Sequence, residues 1–223
     1  MLTALLDVVA PPRCVACGVP RPPVDTRPWC PRCEGEAAVE RLPPRPLTAL
    51  GTTASPCVVR DAALAMSAYR GVVARTVVAA KLGGAHAAWR PLGHRLAVAV
   101  AAAGPIVDVI VPVPTEPRRR RARGFSHTDL LAGPVAEALG VPLAPRSVRA
   151  TPGTPDRGAG GADWDGADAF QPRRRLDRAR VLLVDDVVTT GATAAAVVGA
   201  LGRAGARSVA VATLARAGHG SGG

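Results

Sequence analysis

The stretch "VLLVDDVVTTGAT" runs four apolar residues into two adjacent acids, Asp185 and Asp186, and then into Thr189, Thr190, Gly191 and Thr193. In an α/β sheet, ligands sit beyond the carboxyl ends of the strands, where loops lead into helix N-termini. The first amides of such a helix have no intrahelical partner, and its dipole is positive at that end, so "TTGAT" is suited to receive a phosphate. Gly191 lets the backbone approach an anion closely, and the threonine hydroxyls can donate to its oxygens. Two carboxylates ahead of that cradle would repel a phosphate, but they can accept from a diol or hold Mg²⁺ through water. A ribose 5-phosphate satisfies both halves. A phosphate loop closing in GK[ST] and a GxGxxG fingerprint after the strand are both absent from the sequence.

A second group of reactive residues lies near the front. Cys14, Cys17, Cys30 and Cys33 stand as "CVAC" and "CPRC". Each pair can present two thiolates to one tetrahedral ion, and four protein ligands leave no open position for catalysis, so the spacing predicts structural zinc. Gly18 and Pro31 suit the tight turns, and Pro20, Pro22, Pro23 and Pro28 disfavour helix or strand between the pairs. A redox CxxC follows a strand and opens a helix within a larger sheet, a context missing here. Cys57 stands alone beside two valines and reads as a small buried hydrophobe.

The 223 residues suffice for one ordinary domain with a small appendage. Only 3% are aromatic, so the core is expected to be aliphatic. Lys and Arg total 28 against 17 Asp and Glu, and the net charge of +11 favours polyanionic partners, although free use of arginine and alanine in composition explains it equally well. The apolar N-terminus lacks a basic leader, and "LAVAVAAAGPIVDVIVPVP" is broken by Gly104, Pro105 and Asp108. The expectation is a cytoplasmic protein without membrane insertion, with cysteines kept reduced.

The elements that must position these residues follow from pattern. Residues 1–40 form the zinc module, 41–56 a proline-rich linker, 57–217 the main domain, and 218–223 a flexible tail. "CVVRDAALAMSAYRG" reads as a strand. "VVARTVVAAKL" reads as a helix with Val72, Ala79 and Leu82 near one face and Arg75 opposite. The next helix should end at Gly104, with a possible kink at Pro91. "IVDVIVPVP" has the form of a strand buried on both faces, followed by a basic loop. Ser126 and Asp129 open another helix, in which Gly133 and Pro134 predict a kink or break, and Gly140 closes it. "VPLAPRSVRA" is a weak strand, and residues 151–169 read as a long loop. "RVLLVDD", a helix capped by Gly205, and "SVAVATLA" complete a β-α-β unit, and so a mostly parallel α/β sheet with helices on both faces.

Taken in order, the paired CxxC module, "YRGVVARTVVAAKLGG", "DVIVPVP" with "RARGF", "AF" at 169–170, "VLLVDDVVTTGAT" and "AGARSVAVATLAR" resemble the ComF family. These are competence-associated proteins resembling type I phosphoribosyltransferases. The resemblance implies that Asp185 and Asp186 bind the ribose hydroxyls of phosphoribosyl pyrophosphate and Mg²⁺, and serve as the catalytic pair. It implies that Val187, Val188, Thr189, Thr190, Gly191, Ala192 and Thr193 wrap the 5-phosphate. Pro112, Val113 and Pro114 would receive pyrophosphate, with Arg118, Arg119, Arg120, Arg121 and Arg123 adding charge and Lys81 serving the same phosphates.

Two departures bear on turnover more than on binding. Ser126 and His127 stand where the family usually has asparagine and glutamine. In residues 151–169, Thr154 and Asp165 stand roughly where glutamine and asparagine are expected. His127 reads as a surface residue of the capping turn, although an acid or base role is open to it. The expected function is transfer of phosphoribosyl to an unidentified acceptor, in DNA uptake or nucleotide metabolism. The alternatives are a non-catalytic module for single-stranded DNA and a scaffold whose zinc module docks a competence helicase.

Overall fold

A computed structural model describes residues 12–22, 27–39, 63–152, 154 and 168–217. The expected linker, Cys57, Asp165 and the tail lie outside these residues. The elements are α1 (Pro31–Val39), β1 (Ala63–Ala68), α2 (Gly71–Leu82), a 3₁₀ turn (His86–Ala88), α3 (Trp89–Ala103), β2 (Val109–Pro112), α4 (Pro117–Arg123), α5 (His127–Leu139), β3 (Val148–Ala150), β4 (Phe170–Pro172), β5 (Arg180–Val188), α6 (Ala192–Arg203) and β6 (Ser208–Arg216). Four parallel strands form a sheet in the order β1-β6-β5-β2, and β3 and β4 make a separate antiparallel ribbon.

Strand β5 is buried over nearly its whole length because both faces are covered. Alternation sends Leu182 and Val184 to one face, where they meet Val73 of α2, Leu96 of α3 and Leu131 of α5. Val181 and Leu183 face the other way, onto Val197 and Leu201 of α6 and Phe170 of the ribbon. Consequently the expected fold class holds: a mostly parallel sheet covered by helices on both faces, with the β5-α6-β6 unit pairing in parallel.

Several local expectations change. The buried stripe of α2 is Val72, Val73, Thr76, Val77 and Ala80, whereas Leu82 is 79% exposed. A threonine can occupy a core position here because its hydroxyl is doubly satisfied. It donates to the Val72 carbonyl at 2.8 Å and accepts from the Trp29 indole N–H at 2.7 Å. Pro91 falls in the first turn of α3, where a missing N–H is harmless, so no kink is needed there. The basic segment is a helix: Glu116 caps it by accepting from the Arg119 amide at 3.0 Å, Pro117 opens it, and Gly124 closes it with φ 76°. At the end of α6 the C-cap is Ala204, and Gly205, with φ 90°, sits one place beyond it.

Helix α5 runs through Pro134 without ending, and its packing explains why. A Cβ built on Gly93 of α3 would lie 2.6 Å from the Leu131 carbonyl and 3.0 Å from Pro134 Cγ, so the two helices touch backbone to backbone. That close packing holds the helix on course across a residue that has no amide to give to the preceding turn. Gly93→Ala is therefore expected to destabilise the protein by about 1–3 kcal/mol through overpacking, read from a denaturant midpoint.

At the foot of the sheet, Asp108 clasps β2 to β5. Its Oδ2 accepts from the Arg180 amide at 2.7 Å and from Arg180 Nε at 2.9 Å. The Arg180 side chain, then its amide, hold the Asp108 carboxyl down at about 2, below the ordinary 3.8. An acid depressed in the folded state stabilises it above the unfolded value, and that stabilisation fades as pH falls through the folded one. Asp108→Asn should thus lower the thermal midpoint at neutral pH. The difference from wild type should shrink between pH 3.8 and about 2; a difference that persists unchanged at lower pH would refute the assignment.

Candidate functional site

Two sites emerge, one at the upper end of β5 and one in the cysteine module. Strand β2 pairs with β5 only as far as Pro112 opposite Val184, so β5 continues alone on that side while β6 accompanies it to Val188. Both acids lie in this upper part and are buried. They do not form a side-by-side pair, because neighbours on a strand point to opposite faces. Asp186 turns toward α2 and α5, where its Oδ2 is ion-paired with Lys81 Nζ and lies 3.5 Å from His127 Nε2. Asp185 accepts the Asp186 amide on its Oδ1 at 2.8 Å.

His127 is thus not the surface residue expected from its place in a capping turn. It is 6% exposed and packs on the Trp89 ring with centroids 5.1 Å apart. The cap itself is as expected, with Ser126 Oγ accepting from the Asp129 amide. Burial of the first residue of α5 was invisible to local pattern, since it depends on α3 packing across it.

Lys81 and His127 open onto a pocket of about 290 Å³. Val113, Pro114 and Glu116 contribute from the loop after β2, Arg119 and Arg123 from α4, and Thr193 from α6. The spacing of Arg119 and Arg123 puts them on one helical face, while Arg118, Arg120 and Arg121 are exposed. Arg119 Nη2 also donates to the Thr154 carbonyl at 2.7 Å, tying α4 to the segment after β3. Tyr69 and Phe170 add apolar wall that sequence reasoning did not anticipate. Of the other expected residues, Pro112 is buried in β2, and Val187 and Val188 belong to the sheet. The turn is therefore short: Thr189 and Thr190 are exposed, Gly191 has φ 86°, and Thr193 stands in the first turn of α6. Glu116 is 4% exposed; burial raises its carboxyl pKa, but the amides of Arg118 and Arg119 outweigh this and hold it below the ordinary value.

In the front module, the sulfurs of Cys14, Cys17, Cys30 and Cys33 lie within 4.8 Å of one another, so they could hold a metal ion. Burial acts to raise Cys14, but the amides of Cys30, Cys17 and Ala16 pull it down to about 7, whereas Cys33 is pushed up, chiefly by burial. All four sulfurs could be deprotonated this close together only with a cation among them. The module shares the core of the main domain: Trp29, Cys30, Cys33 and Ala37 belong to the same buried cluster as Val72 and Leu96. Arg95 lies 4.5 Å over the Trp29 ring and pairs with Glu34.

Residues 130–222 match the family model for the phosphoribosyl transferase domain. The chain carries a phosphoribosyltransferase domain. The match spans α5 to β6 and includes the upper end of β5. Over 115 residues the chain is 37% identical to the DNA utilization protein YhgH of Salmonella typhi, covering 50% of this chain and 51% of that protein. It is 38% identical over 112 residues to the protein of the same name from Salmonella typhimurium, covering 49% of each. An adenine phosphoribosyltransferase of Frankia alni is 42% identical over 127 residues, or 51% of this chain and 62% of that protein. The chain spans about half the length of the two DNA utilization relatives. A phosphoribosyltransferase domain preceded by a four-cysteine cluster, together with these relatives, bears out the resemblance to the ComF family. Among the described residues no helix is long and apolar enough to cross a membrane.

The shared core predicts that metal loss is felt beyond the module. Chelation should shift Trp29 fluorescence to the red and lower the thermal midpoint by roughly 2–4 °C for each kcal/mol lost. Trp29→Phe should remove most of the spectral shift. A chelated protein with unchanged midpoint and spectrum would show that the cysteines hold no structural ion.

Proposed function

We propose that the phosphoribosyltransferase domain binds phosphoribosyl pyrophosphate, or a related ribose 5-phosphate, and transfers phosphoribosyl to an acceptor in DNA uptake or nucleotide metabolism. One observation carries this reading: a single pocket is lined by Lys81, Arg119, Arg123 and Thr193 and has Asp186 directly behind Lys81. Three cations lining one pocket suit a pyrophosphate. The first turn of α6, with Gly191 ahead of it and the Thr193 hydroxyl in it, suits the 5-phosphate.

At the open end of β5, Asp186 would accept from a ribose hydroxyl on one face and Asp185 from a second on the other. Because Lys81 now neutralises Asp186, hydroxyls arriving at the carboxylate would release the ammonium toward the incoming phosphates. The pair thereby keeps Asp186 charged and buried in the meantime. Carboxylate oxygens are the donor type that Mg²⁺ takes, and the ion would neutralise charge on departing pyrophosphate. The four cysteines of the module would hold zinc, whose preferred ligand set they match.

Titration with phosphoribosyl pyrophosphate and Mg²⁺ should give saturable binding that weakens at least about tenfold, or 1.4 kcal/mol, in Asp186→Asn and Asp185→Asn. Single-turnover release of labelled pyrophosphate then decides whether binding leads to transfer. A second reading rests on the exposed Arg118, Arg120 and Arg121 beside the pocket, which suit single-stranded DNA. Failure to bind the donor, together with oligonucleotide binding that falls steeply with salt, would favour that reading instead.

A further inference from the structure

Glu116 is the one pocket residue whose chemistry runs against its surroundings. Lys81, Arg119 and Arg123 make the cavity a place for an anion, yet a carboxylate sits in the same wall, 4% exposed. Its Oε2 is used, accepting from the Arg119 amide as the N-cap of α4. Its Oε1 is buried and makes no well-formed hydrogen bond among the described residues, the nearby Arg118 amide adding only to the pull that holds the carboxyl ionised. Capping does not call for this side chain, since serine, threonine, aspartate and asparagine cap helices well with a single acceptor. An ionised oxygen buried without a donor is destabilising, so the second oxygen is best explained by a donor that arrives with the ligand.

The identity of that donor follows from the neighbours. A bare pyrophosphate drawn in by the arginines would bring its own oxygens against Glu116 and be repelled. A hydrated magnesium ion carrying pyrophosphate meets both demands, because its waters donate to a carboxylate while the phosphate oxygens remain for the cations. Magnesium dehydrates reluctantly and is commonly held through water by one or two carboxylates together with substrate phosphates. We propose that Glu116 makes pyrophosphate capture in this pocket depend on a divalent cation, by accepting from water on the metal that the anion carries. This rests on the pyrophosphate-binding reading above.

The test is calorimetric titration of the full chain with inorganic pyrophosphate, with MgCl₂ and with magnesium omitted. Wild type should prefer the magnesium form by at least about tenfold, equivalent to 1.4 kcal/mol. Glu116→Gln keeps an acceptor for the Arg119 amide but turns the second oxygen into a donor. Glu116→Ser keeps a good cap and removes the second oxygen. In both variants the preference should collapse, chiefly because metal-free pyrophosphate binds better, while the thermal midpoint stays at or above that of wild type. Should one variant fold poorly, the other carries the comparison. If wild type binds neither pyrophosphate nor phosphoribosyl pyrophosphate, the underlying reading fails and this one with it. If wild type binds and both variants retain the full magnesium preference, the role of Glu116 alone is overturned.

Discussion

The buried charge of Asp186 is the constraint around which the domain is arranged. A carboxylate inside an α/β core survives only with partners, and Asp186 draws them from two helices, Lys81 at the end of α2 and His127 at the start of α5. Each partner is delivered by packing elsewhere. Lys81 is in place because Val73 and Val77 seat α2 in the core, and His127 because it stacks on Trp89 while α5 packs on α3 at Gly93. The stability of the sheet and the readiness of the pocket thus share the same contacts.

The cysteine module extends this dependence beyond the pocket. Trp29 donates to Thr76 of α2, and Arg75 from the same helix donates to the Ala16 carbonyl and pairs with Glu36. Helix α2 therefore carries the module on one side and Lys81 at its end. An ion among the four sulfurs would stabilise the helix that supplies the charge facing Asp186, which gives a physical reason for the two parts to occur together.

Much of the site was legible from local chemistry. Ser126 as a cap, Gly104 and Gly140 as helix stops, and the strand-to-helix turn at Gly191 all depend on interactions within a few residues, and all are found as read. The parallel pairing of β5 with β6 follows from their linkage through one helix. Where local pattern misleads, the cause is shared as well. An apolar stripe puts Leu82 on the inner face and passes over Thr76, because it says nothing about a hydroxyl that finds a partner from another segment. The arginine run reads as a loop because its charge masks an N-cap, an opening proline and a closing glycine.

By itself, the sequence determined the order of elements, the four thiols close enough in spacing to share an ion, and the acids and threonines that meet at the end of β5. These properties are short-range, set by backbone geometry and side-chain type. Only the tertiary structure decided that the two acids face opposite ways, that Lys81 pairs with Asp186, that His127 is buried beneath the pocket, and that Glu116 shares a wall with Arg119 and Arg123. Those facts depend on which helices cross which strands. Such crossings are fixed by the packing of distant residues, so no local pattern records them.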